Sequence, residues 1–210
     1  MCACRREASP RREVLRWVMP QENREIARGN RVALAAPTER TSQRRSLDQR
    51  LFVRLPALYR LFADAFMRLP RRSRLRRLML PRIVGRAYSA ANRRDFASVL
   101  VGWDLGSEYR PSDDLMPPDV ETGFHGHDGY LQLWRYWLDA FEDIRWDPEE
   151  IVDLGHQLLV TTQQSGRGSG SGVSVSERVF QLFTFRRGLV VRQEDFVDRA
   201  KALEAADLRE

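Results

Sequence analysis

Lysine is almost missing from this chain: Lys201 is the single lysine among 35 basic residues. Positive charge therefore comes from arginine. A GC-rich coding sequence produces the same bias, so the arginine count is discounted as evidence for phosphate recognition. Cysteine is nearly as scarce. Cys2 and Cys4 are too close and too terminal to staple a fold, and too few to complete a zinc site. That usage points to a reducing, cytoplasmic compartment. No apolar run reaches the ~18 residues that a membrane helix needs, and the N-terminus is charged where a signal peptide is apolar. What is present, 42% hydrophobic and 30% charged residues in a chain of 210, is enough to bury a core and suits one domain with an appendage or two very small domains.

The net charge of +6 conceals an asymmetry. Residues 1–85 carry 21 arginines against 7 acids, whereas residues 86–210 carry 14 basic and 22 acidic residues. Such a split marks two different segments. We expect residues 1–45 to be a basic, disordered segment and 46–81 an amphipathic, arginine-rich helical lead-in. A single domain is expected over 82–210. In the lead-in, Leu51, Leu55, Leu58, Leu61, Phe62, Ala65, Phe66 and Leu69 recur at helical spacing until Pro70. The arginine run 71–77 suits a solvated helix face lying against the acidic domain, with nucleic acid or anionic lipid as other possible contacts. Beyond it the pattern predicts a helix over 82–92, a turn at Asn92–Asp95, a short helix, and a strand around Tyr109. A third helix follows from Asp128 to about 143. Strands are predicted at 144–154, 156–164, 173–185 and 189–196, with a tight turn at Arg187-Gly188. A last helix starts after Asp198. Helices followed by a meander of strands indicate an α+β fold.

Four segments carry a family resemblance in the correct order. Ala90-Ala91-Asn92-Arg93-Arg94-Asp95-Phe96 resembles a helix junction, and Gly123-Phe124-His125-Gly126-His127-Asp128-Gly129 the entry to the third helix. Residues 183–191 resemble the penultimate hairpin, and Glu194-Asp195-Phe196-Val197-Asp198 the last strand and its exit. Together they resemble SnoaL-like members of the nuclear-transport-factor-2-like, or ketosteroid isomerase-like, superfamily. The residues from Met19 to Ile26 resemble the start of many such proteins, which makes Met19 an alternative first residue. The resemblance implies a cone-shaped, curved antiparallel sheet wrapped around a pocket that N-terminal helices close.

It also implies chemistries that can be tested against the residues. Ketosteroid isomerisation needs a carboxylate base and an oxyanion hole of tyrosine and protonated aspartic acid. Here Ala87 falls at the tyrosine position with Tyr88 beside it, Arg110 replaces the base, and Gln181 replaces the acid. An arginine stays protonated and cannot be the base. Epoxide hydrolysis of the limonene type needs two aspartates and an arginine; Asp195 matches one, and residues 159–164 hold no Arg-x-Asp pair. Polyketide cyclisation needs an acid/base pair, for which Asp195 and His127 are the candidates. Asp195 is expected to face inward with Val191 and Gln193, either as a desolvated base or paired structurally with an arginine such as Arg110. Tyr88, Trp103, Tyr109, Arg110, Trp134, Trp137, Gln163, Gln181 and Phe183 are the candidate pocket residues.

Ser165–Gly172 alternates glycines but lacks the lysine and following helix of a phosphate loop, so it reads as a hairpin tip. His125, His127 and His156 do not form a metal motif. Two functions fit. The chain binds a small, largely apolar molecule and acts on it as a cyclase, isomerase or hydrolase, or it is a non-enzymatic ligand-binding or dimerisation module. No cofactor, specific nucleic acid or membrane span is implied. Both faces of the long strand are apolar, so a homodimer through the outer face of the sheet is expected.

Overall fold

The computed structural model describes residues 30–34, 45–112, 115–116 and 123–206. The Met19–Ile26 segment and both cysteines lie outside the described residues. Seven strands form one curved, open sheet: β1 (Asn30–Ala33), β2 (Trp103–Pro111), β3 (Phe124–His125), β4 (Arg145–Asp153), β5 (Gln157–Arg167), β6 (Ser174–Arg186) and β7 (Leu189–Phe196). Their order is β1-β4-β5-β6-β7-β2-β3. The helices are α1 (Leu47–Arg54), α2 (Pro56–Met67), α3 (Arg74–Asn92), α4 (Phe96–Leu100), α5 (Gly126–Ala140) and α6 (Arg199–Ala205). No described helix is long and apolar enough to cross a membrane.

The α+β class stands, with two differences in the sheet. It is mixed rather than antiparallel throughout, because β2 runs parallel to β7. In addition, Asn30–Ala33 pairs antiparallel with β4 as an edge strand, inside the segment expected to be disordered. Four residues cannot announce a strand by alternation; β4 supplies the hydrogen bonds that make it one.

The helical lead-in also differs from its pattern. The single amphipathic run breaks at Leu55, because Pro56 cannot continue the preceding helix and instead starts α2 at its first position. The boundary expected at 81/82 falls inside α3, where Pro81 is accommodated. Tertiary packing overrides the proline: Leu80 and Val84 are buried against Phe66, Ile151, Leu158 and Val160.

Arg76 anchors this packing. It belongs to the run expected to be solvated, yet it is fully buried. Its Nε and Nη2 donate to the two carboxylate oxygens of Asp153 at 2.7 and 2.8 Å. Nη1 donates to the carbonyls of Met67 and Leu69, and Nη2 also to that of Gly155. All five guanidinium donors are satisfied, and the start of α3 is tied to the end of α2 and to the β4–β5 turn. A second close contact fixes α2. Arg187 and Gly188 both have positive φ, 50° and 79°, in the two-residue turn joining β6 to β7. A Cβ on Gly188 would collide with the backbone of Ala63 and Asp64, so α2 seats directly on this turn.

The sheet is covered on both faces. Towards its concave side, α3 and α5 pack on Ile151, Leu158, Val160, Trp146 and Val190. On the other side, Ala202, Leu203 and Ala206 at the C-terminus cover Val152, Leu159, Phe180 and Leu182. Asp198 caps α6 by accepting from the Ala200 amide at 2.8 Å.

Removing the Arg76 guanidinium would strand the buried Asp153 carboxylate and three carbonyls. Arg76→Ala is expected to cost about 3–5 kcal/mol of stability in urea unfolding, with part recovered when Asp153 is replaced as well. A loss below about 1 kcal/mol would show that the pair is not the anchor.

Candidate functional site

Between the concave face of the sheet and helices α3 and α5 lies a cavity of about 90 Å³, several times the volume one water requires. Its wall is aromatic: Trp103, Tyr130, Trp134, Trp137, Trp146 and Phe183. Neighbouring rings touch, with centroids 4.2 Å apart for Trp103–Tyr130 and 4.6 Å for Trp134–Trp146. Ala87, Tyr88 and Ala91 of α3 form another side, and Leu115 of the loop after β2 also lines the space.

The polar floor centres on Asp195, which is 5% exposed. A bulge in β7 aims it there. Thr184 pairs with Arg192 but Phe185 pairs with Val190, which leaves Val191 as the extra residue. Val190 therefore packs in the same cluster as Trp103 and Trp134, while Gln193 and Asp195 face the cavity. The expected inward set of Val191, Gln193 and Asp195 is thus correct beyond the bulge and shifts by one residue before it.

Asp195 Oδ2 accepts from the Tyr109 hydroxyl at 2.8 Å and from Gln181 Nε2 at 2.9 Å; Oδ1 accepts from Gln193 Nε2 at 2.7 Å. The Gln181 amide is held the right way round. Its Oε1 accepts from the Tyr88 hydroxyl at 2.6 Å, and Thr162 Oγ1 lies 3.0 Å from that oxygen and 3.2 Å from Tyr88 Oη. With its oxygen occupied by hydroxyl donors, Gln181 can offer only N–H to the carboxylate. A second amide is fixed in the same way. The indole N–H of Trp146, which only donates, meets Gln164 Oε1 at 3.1 Å, so the Gln164 N–H groups turn elsewhere.

Burial sets the protonation behaviour. Desolvation raises the Asp195 pKa to about 6, against the lowering effect of its Gln193, Gln181 and Tyr109 hydrogen bonds. Tyr109 is held well above its ordinary value by burial first and by the Asp195 charge second. Burial also pushes up Tyr88 and Tyr130. The three hydroxyls stay protonated, and Asp195 is the group that titrates near neutrality.

Of the residues expected from sequence, Tyr88, Trp103, Tyr109, Trp134, Trp137, Gln181, Phe183 and Asp195 are brought together. Three are not. Strand alternation turns Arg110 outward beside Tyr109; it is exposed and pairs with Glu108 at 2.6 Å rather than with Asp195. Gln163 lies on the opposite face of β5 from Thr162 and Gln164 and bonds Ser176 at 3.0 Å, so Gln164 takes the place expected for it. His127 Nε2 lies 3.1 Å from the Trp103 carbonyl; it ties α5 to β2 and does not line the cavity. Tyr130, Trp146, Thr162, Gln164 and Gln193 complete the site. Of these, Gln193 was signalled by its parity with Asp195; the others had no local signal beyond apolar or alternating context.

In the first two family-like segments, 90–96 and 123–129, the polar residues and glycines hold the structure together. Asn92 makes a two-way bond with the Trp146 backbone, donating to its carbonyl and accepting from its amide, both at 2.9 Å. Asp95 caps α4 through the Ser98 amide. Gly126 has φ 64° and packs so closely on the Leu105 carbonyl that a Cβ would lie 2.8 Å from its oxygen. Asp128, the expected start of this helix, sits in its first turn instead, where its charge favours the helix dipole.

Comparison with known proteins agrees with this geometry. A family model described as the SnoaL-like domain matches residues 84–193, slightly more than half of the chain. No curated protein matches the sequence. Among solved structures, an NTF2-like protein of unknown function from Burkholderia pseudomallei K96243 is 24% identical, with 59% of this chain and 93% of that chain covered and a TM-score of 0.51. An NTF2-like protein from Burkholderia thailandensis E264 is 20% identical, covering 61% of this chain and 95% of that one at a TM-score of 0.50. TerC, co-crystallized with polyporic acid, is 19% identical over 60% of this chain and 95% of its own, also at 0.50. At these identities the likeness is one of fold. The chain belongs to the SnoaL-like domain family, on the nuclear-transport-factor-2-like fold.

Proposed function

We propose that the cavity binds a small, largely apolar molecule and that Asp195 acts on it as a single general base. The observation that carries this reading is a carboxylate buried among aromatic rings with a pKa near 6. Such a group is poised to take a proton at neutral pH and return it. Oδ2 already receives two donors and Oδ1 only one, so Oδ1 is the oxygen that would meet a ligand proton. Aromatic walls would hold the ligand body, and the Gln164 amide would donate to an acceptor on it.

The cavity favours one class among cyclase, isomerase and hydrolase chemistry. Among the described residues its lining includes no second carboxylate and no histidine. One base that removes a proton and delivers it to another atom of the same molecule suits isomerisation or cyclisation. Hydrolysis by a pair of acids has no second partner here. The same observation supports the alternative of a non-enzymatic binding module, in which the network would serve recognition alone. A cytoplasmic location accompanies both readings, on the cysteine usage.

The homodimer expected through the sheet has a narrower footing, because α6 occupies much of the outer face. The exposed start of β6 at Val175, with Val173 just before it, is the part left for a second copy. Light scattering at micromolar concentration should give twice the chain mass; a monomer would end this proposal.

The raised pKa has a consequence for stability. Between about pH 4 and 6 the folded chain holds the Asp195 proton more tightly than the unfolded chain does. The group therefore favours folding most at low pH, and that contribution is lost as pH rises through about 6. Relative to Asp195→Asn, the wild type should lose about 2 kcal/mol between pH 4 and 7. Urea unfolding at both pH values tests this; an unchanged difference means that Asp195 is not a desolvated acid.

For the chemistry, a ligand recovered by co-purification provides the substrate. Turnover should rise with pH through about 6 and then level. Asp195→Asn should abolish it while ligand affinity stays within about tenfold, since shape is kept and only proton transfer is lost. Undiminished turnover in that variant would refute the base, and a ligand bound without any turnover would favour the binding module.

A further inference from the structure

Helices α1 and α2 lie outside the family-matching region, which begins at residue 84. Their inner side is an aromatic ladder, with ring centroids 5.3 Å apart for Phe52–Tyr59, 5.6 Å for Phe52–Phe62 and 6.1 Å for Phe62–Phe66. Packing against the domain thus uses aromatic rings and the α2–Gly188 contact. The leucines are left outside: Leu47, Leu51, Leu58 and Leu61 are 82%, 45%, 41% and 69% exposed. They recur at helical steps on each helix, Leu47 and Leu51 on α1 and Leu58 and Leu61 on α2, and α1 adds the exposed Arg50 and Arg54. Neither arginine forms an ion pair among the described residues. The start of α3 repeats the composition, with exposed Leu75 and Leu78 between exposed Arg74, Arg77 and Arg82.

We propose that this outward face of α1 and α2 docks on an anionic lipid bilayer, with its leucines at the boundary between headgroups and acyl chains. Placement rather than arginine abundance supports the proposal. Arg76 is buried and Arg45, Arg68 and Arg86 are paired with aspartates, whereas Arg50, Arg54 and Arg60 of these two helices and Arg74, Arg77 and Arg82 beside them in α3 are exposed and available to a negative partner. A nucleic acid would engage the arginines but leave the leucines in water. A second copy would bury the leucines but bring two positive faces together. An anionic bilayer takes up both features, since apolar side chains enter the interface while guanidinium groups meet headgroup phosphates. This surface is separate from the cavity and does not depend on its chemistry.

Co-sedimentation of the full chain with vesicles tests the idea. Binding to phosphatidylcholine vesicles containing about 30 mol% phosphatidylserine should be at least about tenfold tighter than to phosphatidylcholine alone. Leu47→Asp with Leu61→Asp, the two most exposed positions, should weaken it at least about tenfold with an unchanged thermal unfolding curve. Arg50→Glu with Arg54→Glu should do the same. Should the aspartate pair destabilise the fold, Leu47→Ser with Leu61→Ser provides the milder version. Absence of binding to anionic vesicles overturns the proposal. It is also overturned if only the arginine variant loses binding and the chain binds duplex DNA as tightly, which would identify a nucleic-acid surface. A dimer that the leucine variant dissolves in the absence of lipid would identify a contact between copies instead.

Discussion

The buried ion pair between Arg76 and Asp153 determines where everything else sits. A guanidinium without solvent must find partners for all five of its donors, and it finds them on the α2–α3 connection, the end of β4 and the turn that follows. This requirement fixes the start of α3 against the sheet. Asn92 holds the other end of the same helix through the Trp146 backbone. A 19-residue helix pinned at both ends has little freedom to slide or rotate. Tyr88, between the pins, is consequently delivered to Gln181 at 2.6 Å, and the cavity acquires its wall.

The cavity joins two opposing demands. Aromatic rings exclude water, which makes a carboxylate costly, and three donors reduce that cost without cancelling it. The result is an acid that titrates near neutrality in an apolar space. A fully apolar floor would be more stable but would have no proton chemistry. An arginine partner would hold the carboxylate ionised and make it structural; Arg110, the nearest candidate by sequence, is turned away by the pleat and engaged with Glu108.

Legibility in the sequence followed the range of the forces involved. The hairpin at Arg187-Gly188, the cap at Asp198 and the strands β4 to β7 are local features, set by turn chemistry and alternation within a few residues. Most of the aromatic wall was also legible, because Trp134 and Trp137 lie on the apolar side of one helix. Errors arose where a distant partner decided. The helix expected over 82–92 starts at Arg74 instead, because burial of Leu80 and Val84 carries α3 through Pro81. Gln163 and Gln164 are equivalent by composition, and the register of β5 against β6 decides which one faces the cavity.

The sequence by itself determined the α+β class, the positions of strands β4 to β7 and the presence of an acid, Asp195, on a strand with an inward face. Its periodicities and turn residues are properties of neighbours along the chain, and neighbours suffice to specify them. Only the tertiary structure decided that Arg76 is buried rather than solvated, that β2 runs parallel to β7, and that the bulge at Val191 aligns Gln193 and Asp195 with the cavity. It also decided that His127 holds a backbone carbonyl instead of serving the site. These outcomes depend on contacts between residues tens of positions apart, where desolvation and hydrogen-bond satisfaction are settled by the whole fold and leave no periodic trace in the chain.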